Sequence, residues 1–102
     1  MADMSQAQKA LETRVLEGQG EASTSERRAA FNNRGLAEPA AGLVDKVAKY
    51  AFRVTDGDIA SVQDSGLSED QVFEIVVCAA IGEATRQYKT AFAALGAAIG
   101  KE

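Results

Sequence analysis

Ser68-Glu69-Asp70-Gln71-Val72-Phe73-Glu74-Ile75-Val76-Val77-Cys78-Ala79-Ala80-Ile81-Gly82-Glu83-Ala84-Thr85-Arg86-Gln87-Tyr88-Lys89 is the stretch around which the rest of the chain must be arranged. It opens with a capping box. Ser68 can accept from the amide of Gln71, and Gln71 can reach back to the amide of Ser68. Glu69 and Asp70 place negative charge at the positive end of the helix dipole. From Ile75 to Gly82 nothing is charged or strongly polar, so the helix is apolar on every side there and expects burial on every side. The run is far short of the roughly 20 residues that cross a bilayer, which makes it a core helix. Continued to Leu95 it is about 40 Å long. Its second half, Ala91 to Ile99, is Ala-rich and apolar, which points to contact with another subunit.

The chain has 102 residues, room for one domain. Its hydrophobic fraction of 46% suffices for a core, although the many alanines suit close helix contacts better than a bulky interior. The net charge of −4 makes nucleic acid and anionic membrane surfaces poor partners. A single Cys excludes an internal disulfide and a Cys-based zinc cluster. There is no His, and so neither the usual general base near neutral pH nor the commonest metal ligand; no metal and no cofactor is expected. The Met1-Ala2-Asp3-Met4 opening lacks the basic and apolar regions of a secretory signal, so the expected location is the cytoplasm.

Outward from the long helix, the preceding segments also read as helices. Ala7, Leu11, Val15 and Leu16 form a thin stripe for a short helix from about Gln6 to Leu16; an arm crossing to a neighbouring subunit is the alternative for residues 1–22. Ser23 and Glu26 make a second capping box for a helix running to about Asn33, with Gly35 placed to end it in a left-handed conformation. Pro39 suits a first turn, and Leu43, Val44, Val47, Ala48, Ala51 and Phe52 follow helical spacing to about Arg53. Thr55 and Asp58 cap a short helix that Gly66 ends, with Leu67 packing back over it. Asp56 and Asp58 resemble a calcium loop only superficially, because Ile59 and Ala60 bring no further oxygens. The expectation is therefore an all-α fold. Residues 23–102 form one small bundle of four to five helices around a long buried C-terminal helix.

These residues resemble a known family. Leu43-Val44-Asp45-Lys46-Val47-Ala48, Val54-Thr55-Asp56-Gly57-Asp58-Ile59, Ser65-Gly66-Leu67-Ser68-Glu69-Asp70-Gln71-Val72-Phe73-Glu74-Ile75-Val76 and Arg86 look like the alkylhydroperoxidase D-like / carboxymuconolactone decarboxylase-like superfamily, over roughly residues 43–95. The resemblance implies a helical fold that assembles into trimers or hexamers, sometimes dimers. Peroxidase members use a Cys-x-x-Cys pair with a nearby Glu and His; decarboxylase members act on a lactone acid with polar residues that often include His. This chain has neither the Cys pair nor any His. The resemblance thus carries over the fold and leaves both activities behind.

Two readings of function follow. The first is a non-catalytic subunit that self-associates, and that binds a small ligand or pairs with a second chain of the family. The second is a lyase or isomerase-like enzyme on a small carboxylate at a subunit cleft. There Arg86 grips the acid in bidentate fashion, Tyr88 supplies a hydroxyl, and Glu74 or Glu83 is the acid/base after burial raises its pKa. Each residue also has a plainer role. Glu74 can take a hydrogen bond from another helix or pair with Lys46 or Lys49; Glu83 and Arg86, three apart, can pair locally; Tyr88 can pack at a helix edge. Cys78, deep in the apolar run, reads as a small buried hydrophobe.

Overall fold

The computed structural model describes residues 2–100; Met1, Lys101 and Glu102, the outermost positions of the two expected segments, lie outside that range. Five α-helices follow one another: α1 (Ala2–Glu17), α2 (Thr24–Asn32), α3 (Ala40–Tyr50), α4 (Asp56–Asp64) and α5 (Glu69–Ala98). A single 3₁₀ turn, Ala51–Arg53, separates α3 from α4. Among the described residues there is no strand and no helix long and apolar enough to cross a membrane.

Local chemistry sets most of the boundaries. Ser23, Thr55 and Ser68 each cap a helix through a reciprocal box with Glu26, Asp58 and Gln71. At the head of α5 the Ser68 amide donates to Gln71 Oε1 at 2.7 Å, and the Gln71 amide to Ser68 Oγ at 3.1 Å. Gly66 takes φ 118° after α4, a value that costs a residue without a Cβ nothing.

Three expectations need correction. The left-handed cap of α2 is Asn33, at φ 54°, with its amide on the carbonyls of Ala29 and Ala30; Asn tolerates this conformation, and Gly35 (φ 97°) makes a second left-handed bend in the loop beyond. The third helix does not reach Arg53: at Tyr50 the backbone leaves helical geometry (φ −144°). The following turn throws Phe52 outward, 82% exposed, instead of burying it. And α1 is longer than its stripe suggested. It packs on α2 and α5 of its own chain with Leu16 buried.

The core sits where α2, α3 and α4 meet the first half of α5. Ile75, Val44, Val62 and Cys78 are its fully buried larger side chains, joined by Ala30 and Ala79. On α5 the apolar run is mostly covered: Ile75, Cys78, Ala79 and Gly82 are buried, Val76, Val77 and Ile81 half-buried, and Ala80 alone is open. Beyond Lys89 the cover thins, with Gln8, Lys9 and Glu12 of α1 still flanking Phe92 and Ala93. α5 projects along the 51 Å long axis of the molecule, and Phe92, Leu95 and Ile99 remain exposed.

Candidate functional site

The candidate polar side chains lie along α5, and α2 explains most of them. α2 runs parallel to α5 and closer to it than ordinary side chains allow. Opposite the carbonyl of Phe31 stands Gly82, where a Cβ would come within 2.8 Å of Phe31 C and 2.9 Å of its Cα. Glu74 meets the loop that leads into α2, accepting from the amides of Glu21 at 2.9 Å and Ala22 at 2.7 Å. Arg86 meets its end, Nη1 donating to the carbonyl of Phe31 at 2.6 Å. A carboxylate thus faces the positive end of the α2 dipole and a guanidinium its negative end. The two clamps are about 18 Å apart along α5.

Glu83 orients the second clamp. Its Oε1 accepts from Arg86 Nε at 3.3 Å and Nη2 at 3.0 Å, and its Oε2 from Gln87 Nε2 at 3.1 Å. The fold therefore brings Glu83 and Arg86 together. It does not bring Glu74 to them. Tyr88, two positions beyond Arg86, points elsewhere on the helix: it stacks on Phe92 with ring centroids 5.9 Å apart. With Ala7, Leu11, Ile81 and Thr85 it lines an apolar groove of about 350 Å³ between α1 and α5. Lys46 and Lys49, considered as partners for Glu74, pair instead with Asp58 at 2.9 Å and Asp45 at 3.0 Å.

The electrostatics run against acid/base work. Partial desolvation pushes the Glu74 carboxyl up, but the amides of Ala22 and Glu21 and the charge of Arg27 outweigh it and hold it below the ordinary range. Hydrogen bonds from Arg86 and then Gln87 hold Glu83 low as well. A general acid at neutral pH needs the opposite shift. Burial raises the Cys78 thiol, with the Glu74 charge adding to the effect and Arg27 opposing it. Cys78 Sγ donates to the carbonyl of Val15 at 3.2 Å, so the thiol is packed in the core as a hydrogen-bond donor.

Sequence reasoning passed over Arg27. It is buried, donates through Nη1 to the carbonyls of Gly18 at 2.6 Å and Val15 at 3.4 Å, and so pins the C-terminal end of α1. Its Nε is buried and has no partner. Arg27, Arg14, Glu74 and Cys78 are among the side chains around a cavity of about 330 Å³ between α1 and α5. The signal was present: Arg27 lies three and four residues before Ala30 and Phe31, on the inward face of α2. Among the described residues no group of three His, Cys, Asp or Glu gathers that could hold a metal. Comparison of the chain with protein-family models, with curated proteins and with solved structures gives no match.

Proposed function

We propose that this chain is a non-catalytic, self-associating helical subunit of the carboxymuconolactone decarboxylase-like kind, working without the paired Cys and the His that the family's chemistry uses. The observation that carries the reading is the commitment of Glu74 to the segment leading into α2, of Arg86 to the end of α2, and of Glu83 to Arg86. Groups that hold the fold in one protonation state are poor groups to cycle through another. The order of helices between Leu43 and Arg86, with capping boxes at Thr55 and Ser68, supports the family reading. The test is to assay the pure protein for hydroperoxide reduction and lactone decarboxylation while measuring its mass by light scattering. An assembly without turnover is expected. Turnover of either substrate that disappears in Glu83→Gln or Arg86→Met overturns the reading, and turnover of the lactone acid does so in favour of the enzyme on a small carboxylate.

A second reading, binding of a small carboxylate without turnover, is favoured by the unpartnered Nε of Arg27 beside the 330 Å³ cavity. Calorimetric titration with hexanoate or benzoate, repeated on Arg27→Met, tests it. Heat that is absent from the wild type ends it.

A further inference from the structure

Along α5 the residues Ile81, Thr85, Tyr88, Phe92, Leu95 and Ile99 are spaced alternately four and three apart, the spacing of a coiled-coil seam. α1 covers the first part of that seam, burying Thr85. It does so incompletely: Leu11 stays 44% exposed, and the groove beside Ile81 and Tyr88 is open and apolar. Among the described residues the last part has no cover, with Leu95 and Ile99 53% and 61% exposed. From Thr90 to Ile99 there is no charged residue on any side.

We infer that this face pairs with a second copy of the chain about a two-fold axis near Ala91, so that Leu95 and Ile99 of each copy enter the groove beside Ile81 and Leu11 of the other. The inference rests on the self-associating reading above and gives it a surface. Three observations select a second copy as occupant. The face carries both an apolar knob and an apolar groove, about 27 Å apart along one helix. An antiparallel two-fold pairing brings each to its counterpart, as an isologous contact requires. The seam from Thr90 onward is uncharged, so where it lies against the stretch from Glu83 to Lys89 of the other copy it brings no like charge. The area reaches the low end of what a stable pair needs: about 15 Å by about 20 Å where α1 flanks α5 and about 12 Å by about 10 Å beyond it project to roughly 420 Å², and side-chain relief raises the buried surface to about 600 Å² per partner. The product is an antiparallel four-helix layer of α1, α5 and their symmetry mates, standing alone or as the unit of a larger ring.

The test is the solution mass of the full chain and of Leu95→Glu, with Phe52→Ser as an exposed substitution away from the seam. The expected result is an assembled wild type and Phe52→Ser, with Leu95→Glu falling to monomer at unchanged far-UV circular dichroism. An assembled Leu95→Glu of unchanged mass overturns this surface and leaves self-association standing; a monomeric wild type overturns both. Should Leu95→Glu fail to fold, disulfide trapping decides. Leu11→Cys mixed with Ile99→Cys under mild oxidation gives a covalent heterodimer if the pairing is right, and none if it is wrong.

Discussion

Gly82→Ala reverses the sign that helix propensity assigns to it. In the interior of α5 an added Cβ ought to stabilise by about 0.5–1 kcal/mol, because glycine surrenders more backbone freedom on folding. At this position the new methyl group meets backbone, lying 2.8 Å from Phe31 C and 2.9 Å from its Cα and closer still to its carbonyl oxygen. Main chain cannot rotate aside, so α2 must withdraw. Overpacking of this kind costs about 1–3 kcal/mol. Withdrawal also lengthens the bond from Arg86 to Phe31 O, which for a side chain 40% exposed is worth about 1 kcal/mol. Set against the propensity gain, the net loss is about 2 kcal/mol, or a melting temperature lower by about 8–16 °C in a domain of this size. Thermal unfolding followed by circular dichroism at fixed protein concentration measures it. Gly96→Ala is the control, since nothing lies within 4 Å of a Cβ there. If Gly82→Ala melts with or above the wild type, the close approach of α2 to α5 is wrong.

Three further outcomes follow from the same contacts. The Glu74 carboxyl is lower in the folded than in the unfolded chain, so its stabilisation is complete above its ordinary value of 4.5 and is lost as pH falls through the folded value; Glu74→Gln should start less stable at neutral pH and lose less on acidification, and parallel stability–pH curves for the two proteins would refute the clamp. Arg27→Met keeps the stem but removes both bonds to α1, so amide exchange across residues 11–17 should quicken about tenfold or more while that of α4 holds steady, which hydrogen-exchange mass spectrometry resolves. Cys78, with its raised and buried thiol, should resist a thiol reagent until denaturant is added; prompt stoichiometric labelling of the folded protein contradicts its placement.

The sequence yields most readily where the physics is local. Three capping boxes span four residues each, and all three form. The early end of α3 was hidden because Ala51 and Phe52 satisfy helical spacing equally well whether or not the helix continues. Here the extended backbone at Thr55 that its cap demands leaves only a short turn between. Glu74 shows the other limit. Its partners, Glu21 and Ala22, stand 53 and 52 positions away, and no spacing on α5 announces them. Arg86 was singled out for a ligand's carboxylate, and its nearest acceptors are a carboxylate of its own helix and a carbonyl of α2. The residue type indicates an anion or carbonyl partner; only the packing of α2 says which.

The two halves of α5 face different requirements, and the placement of charge divides them. In the first half a helix must be held at a distance that leaves no room for a Cβ at Gly82; the segment leading into that helix presents the free amides of Glu21 and Ala22, and its end the carbonyl of Phe31. A carboxylate and a guanidinium satisfy them only while both stay ionised, so the pKa of Glu74 has to fall. An acid/base catalyst at neutral pH needs its carboxyl raised by a similar environment without those donors. The Glu74 carboxyl is set for the first demand. Cys78 is under the same constraint, because the burial that lets it fill the core between α1 and α5 also suppresses its thiolate. The second half holds no group with a proton to trade between Thr90 and Ile99. What it offers is surface, and a helix that shows water mainly alanine, leucine, isoleucine and phenylalanine lowers its free energy by covering them.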